Sequence, residues 1–157
     1  MEIGTILSIL GAGLVVTLPC IGSAIALSQV GRSASGLISE EPEKFGKALL
    51  LQVLPGTQGI YGFLAAVLVL QQIGFFGEEA LTITSQTGWQ ILMACIPITF
   101  AGIISAIMQG KVSVAGISTL AKKPEEAGKA IILSAMVETY AVIALLLTIL
   151  ILNGISV

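Results

Sequence analysis

Pro42-Glu43-Lys44-Phe45-Gly46-Lys47-Ala48 returns later in the chain as Pro124-Glu125-Glu126-Ala127-Gly128-Lys129-Ala130, an offset of 82 residues (124 − 42). The match runs on without a gap, from Leu49-Leu50-Leu51 against Ile131-Ile132-Leu133 to Thr57 against Thr139. Upstream, at a spacing of 80, Gly22 meets Gly102, Ala26 meets Ala106, Gln29 meets Gln109 and Gly36 meets Gly116. Self-similarity at a fixed offset marks an internal repeat, and each copy has the length of a helical hairpin.

The 157 residues are 55% hydrophobic and 10% charged, with a mean hydropathy of +1.03, which places the chain among integral membrane proteins. A membrane span needs about 20 mainly apolar residues, and four stretches qualify: 3–27, 48–73, 88–107 and 130–152. The expected fold is an all-α membrane protein in one domain, residues 1–157, made of four transmembrane helices as two tandem hairpins. Repeat one covers 1–77, with helices near 3–35 and 44–73; repeat two covers 78–157, with helices near 88–120 and 126–153. The first apolar stretch lacks the basic leader of a cleaved signal, so it is expected to remain as a helix, with the mature protein starting near Met1.

Net charge is only −2, but its distribution is lopsided. Arg32, Lys44, Lys47, Lys111, Lys122, Lys123 and Lys129 all lie at or near two of the three connections. Basic residues mark the cytoplasmic side, so the turns near 36–46 and 121–128 are expected there. Both termini and the 74–87 connection, with Glu78 and Glu79 but no base, are expected outside. The two hairpins then run the same way through the membrane, unlike the inverted repeats of many secondary transporters.

Glu138 lies deep in the apolar run from Gly128 to Asn153, which carries no other charge beyond Lys129. A central acidic residue costs about 2.5 to 3.5 kcal/mol on insertion scales, so it normally faces a cavity, a partner or an ion. It is nine residues from Lys129, about 14 Å along a helix, and therefore near mid-membrane. Its repeat counterpart is Gly56, leaving one carboxylate per chain. The competing role for Glu138 is that of a structural acid bonded to Tyr61 or a glutamine. With no His and no Asp anywhere, the hydrolytic triad and zinc-type clusters are excluded, and catalysis by this chain alone is not expected. Cys20 and Cys95 each neighbour a proline inside an apolar stretch without CxxC spacing, which suits small hydrophobic filler rather than redox chemistry.

Residues equally far from a hairpin turn share a depth. Gln109 and Glu138 are symmetric about the Lys123-Pro124 turn, and Gln29 and Gln58 about Glu43-Lys44. Pro55 cannot donate to the carbonyl of Leu51 four residues back, which frees backbone oxygen beside Thr57 and Gln58. One carboxylate with several neutral oxygens suits a monovalent cation, since calcium usually gathers more anionic ligands; sodium fits the charge count, and a proton would need the carboxyl alone. Each of Thr57, Gln58 and Gln109 taken singly fits ordinary interhelical hydrogen bonding. The first and third helices carry small residues at four-residue spacing, Gly22 and Ala26 in one, Gly102, Ala106 and Gly110 in the other, and close backbone approach is expected there. The same spacing also fits packing in a monomeric bundle.

At these residues the sequence resembles the proteolipid of V-type rotary ATPases, the K or c subunit of the membrane rotor ring, in its four-helix bacterial sodium-pumping form. Leu54-Pro55-Gly56-Thr57-Gln58-Gly59 with Tyr61, Gln109-Gly110-Lys111, Ala121-Lys122-Lys123-Pro124-Glu125 and Val137-Glu138-Thr139-Tyr140 carry the likeness, which extends over nearly the whole chain. The resemblance implies identical copies assembling into a double-layered ring, helices one and three inside, two and four outside, with Glu138 at the perimeter. It implies sodium ligands from the Leu54 backbone carbonyl and the side chains of Thr57, Gln58, Gln109 and Glu138, with Tyr61 holding the carboxylate; Gln29 matches Gln109 by repeat alone. Glu138 would load an ion from a half-channel of a stator subunit that supplies an arginine, ride past lipid neutralised, and release it opposite, with rotation coupled to ATP. The implied partners are further copies, that stator, a central-stalk subunit at the cytoplasmic turns and membrane lipid, with no nucleic acid and no organic cofactor.

Three other readings use the same residues. A proton-carrying ring needs only the carboxyl. A small multidrug/proton antiporter also uses four helices and one glutamate, but its substrate pocket is roomy and often aromatic, whereas this chain has a single Trp, Trp89, at the membrane edge. In a purely structural ring or pore Glu138 would be incidental.

Overall fold

Prolines punctuate the chain at its two basic turns. The α region is disfavoured for the residue before proline, and Glu41 (φ −133°, ψ 75°) and Lys123 (φ −144°, ψ 80°) take up matching conformations outside it. Pro42 and Pro124 then each open a single 3₁₀ turn, where a missing N–H costs nothing, and a new helix runs back. The computed structural model describes residues 2–77 and 82–157; Glu78 and Glu79 lie outside the described residues.

The helices are α1 (Ile3–Glu40), α2 (Phe45–Val53), α3 (Thr57–Gln72), α4 (Ser85–Lys122) and α5 (Ala127–Asn153), with no strand among the described residues. Joined through their 3₁₀ turns they form four spans of 38, 31, 38 and 30 residues, each long and apolar enough to cross a membrane. A 38-residue helix is about 57 Å long, well beyond the ~30 Å hydrocarbon core. This explains a difference from expectation: α1 continues past 35 to Glu40, and α4 reaches from Ser85 to Lys122 rather than 88–120. Their ends stay helical outside the apolar stretches because Ala34, Leu37, Ile117 and Leu120 are buried together with Ala48, Leu51, Ala127 and Ala130. Thr84 caps α4, its hydroxyl accepting from the Thr87 amide at 3.2 Å. At the far end of the first hairpin, Gly74 (φ 68°) takes the left-handed conformation that ends the span.

α1 and α4 run parallel and in contact along their length. A Cβ on Gly88 would lie 2.5 Å from Gly4, and one on Gly110 2.6 Å from Ala26, so contact advances in the same direction along both helices. The small residues flagged in sequence thus serve close helix approach. α2–α3 and α5 lie outside this pair, each against its own hairpin partner, and meet one another near Tyr61 and Glu138.

The duplication is displaced by 82 residues throughout, since α1 and α4 start and end at equivalent positions (85 − 3 and 122 − 40). This corrects the spacing of 80 expected upstream. Glycines and alanines four residues apart match at many shifts, whereas the proline turns fix one. The counterpart of Gln109 is accordingly Leu27, not Gln29.

Candidate ion-binding site

Two apolar clusters fill the core, one from Ala12, Val15, Ala65, Ala66, Val69, Ile91, Ala94, Ile98, Ala141 and Leu145, the other around Leu51 and Leu120 at the basic end. Between them lies a polar layer, with Ser23, Gln58, Ser105, Gln109, Ser113 and Ser134 all buried. Buried polar groups need partners, and these find one another across helices.

The layer forms where the second span loosens. α2 ends at Val53, Leu54–Gly56 tighten into a 3₁₀ turn around Pro55, and α3 resumes at Thr57. The Leu54 carbonyl accepts both the Thr57 amide and, at 3.0 Å, the Thr57 hydroxyl. The same hydroxyl oxygen lies 3.4 Å from Gln58 Oε1. Gln58 Nε2 donates to Gln109 Oε1 at 2.5 Å and to Ser105 Oγ at 3.2 Å, so its amide oxygen is left towards Thr57. Gln109 Nε2 in turn lies 3.5 Å from Glu138 Oε2, and Tyr61 donates its hydroxyl to Glu138 Oε1. All six residues expected at the site are thus brought into one continuous chain of contacts: the Leu54 carbonyl, Thr57, Gln58, Gln109, Glu138 and Tyr61.

Gln58 and Gln109 are fully buried, whereas Thr57, Tyr61 and Glu138 are part-exposed at the edge of the layer. The arrangement offers one anionic and several neutral oxygens to a small cation approaching from the outer side, with the buried glutamine pair fixing the amide orientations from behind.

Gln29 is not part of it. In the first hairpin Gly56 faces Leu27, and Gly59 faces Cys20 and Ser23, so Gln29 does not share a level with Gln58. It is exposed on α1, lining a groove with Arg32, Ser33 and Lys111. The hairpin midpoint was displaced because the first turn closes at Glu41-Pro42, while the symmetric Lys123-Pro124 turn correctly placed Gln109 beside Glu138. Thr139, the counterpart of Thr57, is exposed and bonds the carbonyl of Met136 at 2.7 Å. Cys95 is buried, and Cys20 directs its thiol towards the Gly59 carbonyl at 3.8 Å; both are free thiols.

The structure adds serines that no sequence motif singled out. Ser105 accepts from Gln58 and donates to the Val137 carbonyl at 3.0 Å, tying α4 to α5 next to Glu138. Ser113 and Ser134 pair at 2.7 Å, one turn further towards the basic end. Ser23 accepts the Gly59 amide at 3.0 Å. The available signal was spacing: Ser105, Gln109 and Ser113 fall four apart, as do Ser134 and Glu138, and so share helix faces.

Residues 10–69 and 92–151 each match the sequence family of the ATP synthase C subunit, at the same offset of 82 residues (92 − 10). The chain belongs to the ATP synthase C-subunit family. It is 43% identical over 152 residues to the V-type sodium ATPase subunit K of Enterococcus hirae, covering 96% of this chain and 94% of that one. It is 38% identical over 150 residues to the A-type ATP synthase subunit K of Methanocaldococcus jannaschii, covering 96% and 63%. The 16 kDa proteolipid of the V-type proton ATPase of Nephrops norvegicus is 26% identical over 116 residues, covering 74% and 70%. The polar layer draws on both family repeats, with Ser23 and Gln58 from the first and Ser105, Gln109, Ser113 and Ser134 from the second.

Proposed function

We infer that this chain is the ion-carrying rotor subunit of a V-type ATPase and that Glu138 carries sodium. The observation that bears most weight is the chain of contacts from the Leu54 carbonyl through Thr57, Gln58 and Gln109 to Glu138 and Tyr61, set between two apolar clusters. A proton needs only the carboxyl, whereas these neutral oxygens suit a desolvated monovalent cation, and the E. hirae relative bears the name of a sodium ATPase subunit. The ligands are the Leu54 carbonyl, Thr57, Gln58, Gln109 and Glu138. Tyr61 positions the carboxylate.

In operation, sodium enters the layer beside Glu138 and neutralises it. Tyr61 and Gln109 hold the carboxylate oxygens while the loaded site passes lipid. An unneutralised carboxylate there costs kcal/mol, comparable with the roughly 2.3 kcal/mol for moving one charge through 100 mV, so the empty site does not circulate freely. Copies of the chain form a ring with α1 and α4 inside and the other spans outside. A membrane stator contributes the arginine that displaces the ion, a central stalk meets the basic turns on the cytoplasmic side, and the termini lie outside, in keeping with the positive-inside distribution. The chain alone catalyses nothing; hydrolysis of ATP belongs to other subunits.

Carbodiimide labelling of Glu138 in the purified protein near neutral pH tests this, because the reagent attacks protonated carboxyls. Sodium, but not potassium, is expected to slow labelling. Labelling indifferent to sodium would leave a proton-carrying ring, and absence of labelling would make Glu138 a buried structural acid.

A further inference from the structure

The repeat that builds the chain also indicates how a second copy meets it. Within the chain, α1 offers Gly11, Gly22 and Ala26 to α4, and α4 answers with Leu92, Ile103 and Gly110. Displaced by 82 residues, the first set becomes Met93, Ile104 and Met108 on α4, and the second becomes Leu10, Ile21 and Ser28 on α1. All six are exposed in the single chain, Met93, Ile104, Met108, Leu10 and Ile21 by 45–55%. Two unpartnered faces thus stand where the repeat places the two halves of a contact already made once inside the chain. Apolar exposure towards a neighbouring helix and towards lipid look alike in composition; the repeat is what separates them.

The basic turns carry the same relation. Lys44 and Lys47 of the first hairpin reach across to donate to the carbonyls of Ala121 and Pro124, each at 3.0 Å. These close the second turn against the first: Ala121 lies in the last turn of α4, where carbonyls lack intrahelical partners, and the Pro124 carbonyl also accepts the Ala127 amide in the following 3₁₀ turn. The counterpart of Lys47 is Lys129, and that of Pro124 is Pro42. Lys129 pairs with Glu126 at 2.5 Å and its side chain is 77% exposed. The counterpart of Lys44 is Glu126, an acceptor that cannot repeat the donation.

We propose that α4 of one copy packs its Met93, Ile104 and Met108 face on the Leu10, Ile21 and Ser28 face of α1 of the next copy, with Lys129 donating to the backbone carbonyl of Pro42 there. The proposal rests on the ring reading and adds the contact surface to it. Glycine-lined contact inside the chain and bulkier contact between chains make the inner layer alternate between narrow and wide helix spacings. The turns are tied by two lysines inside a chain and by one between chains.

Cysteine cross-linking in the assembled protein tests the arrangement. Lys129→Cys with Glu43→Cys, both at exposed turn positions, is treated with a short, membrane-impermeant bifunctional thiol reagent and run on a denaturing gel. Linked dimers and higher multiples are expected to replace most of the monomer, with each single variant giving none beyond the wild-type level. A second pair, Met108→Cys with Ser28→Cys, reads the membrane part of the same face by oxidative disulfide formation. If particles of ring size persist but either pair stays monomeric, the proposed face is wrong while the ring stands. If the unmodified protein forms no ring, the functional reading fails first and the proposal with it.

Discussion

The carrier role proposed for Glu138 rests on what surrounds it: a tyrosine hydroxyl on one oxygen and a glutamine amide facing the other. Glu138→Gln keeps the shape and the capacity to hydrogen-bond Tyr61 but removes the charge that balances a cation. We expect this variant to assemble normally and to abolish sodium-coupled ATP hydrolysis in the complete ATPase; retained transport would remove Glu138 from the carrier role. Thr57→Ala and Gln109→Ala each delete one neutral oxygen. Each is expected to weaken sodium binding about tenfold or more, roughly 1.4 kcal/mol, while carbodiimide labelling without sodium stays near the wild-type rate. Unaltered sodium affinity would return both residues to packing. These residues were legible in the sequence because each is costly in a membrane unless partnered. Ser105 was not, since a serine inside an apolar helix satisfies itself on its own backbone in most settings. Its donation to Val137 on another helix emerges only from the packed structure.

The helices were readable for a different reason. Lipid offers no partner to a bare backbone group, so a long apolar run has little choice but to be helical, and Pro42 and Pro124 fix where the chain turns. What misled was the register between the two hairpins, because glycine and alanine at four-residue spacing match themselves at several shifts. The physical content of those glycines is proximity: a Cβ at position 110 would stand 2.6 Å from the Ala26 Cβ. Gly110→Leu therefore forces α4 away from α1 just beside Gln109. We expect a loss of at least the 1–3 kcal/mol typical of overpacking, seen as a lower thermal unfolding midpoint in detergent. A Cβ at Gly128 meets nothing within 4 Å, so Gly128→Ala should leave the midpoint unchanged or raise it, in line with the helix preference for alanine of up to about 1 kcal/mol. Equal effects of the two substitutions would show that the α1–α4 approach does not depend on residue size.

Across the chain, duplication has kept the framework and divided the chemistry. The contact of Gln109 with Glu138 becomes Leu27 against Gly56 in the first hairpin. The residues that complete the site from the neighbouring hairpin, Thr57, Gln58 and Tyr61, have the counterparts Thr139, Tyr140 and Ile143. Under the proposed copy-to-copy packing these three face the Leu27–Gly56 level of the next copy, so every second boundary round the ring carries a carboxylate with amide oxygens and the intervening one carries neither. Restoring the carboxylate and the amide in the first hairpin, with Leu27→Gln and Gly56→Glu together, supplies two groups of the site but neither a second buried glutamine, whose place is taken by Tyr140, nor a tyrosine at the position equivalent to Tyr61, where Ile143 stands. The double variant is expected to bind one sodium per chain, as before, with Glu138 still protected from carbodiimide by sodium and the introduced glutamate labelled whether or not sodium is present. Two protected carboxylates per chain would mean that charge and one amide suffice, and that the polar layer built by Thr57, Gln58 and Tyr61 is not what selects the ion.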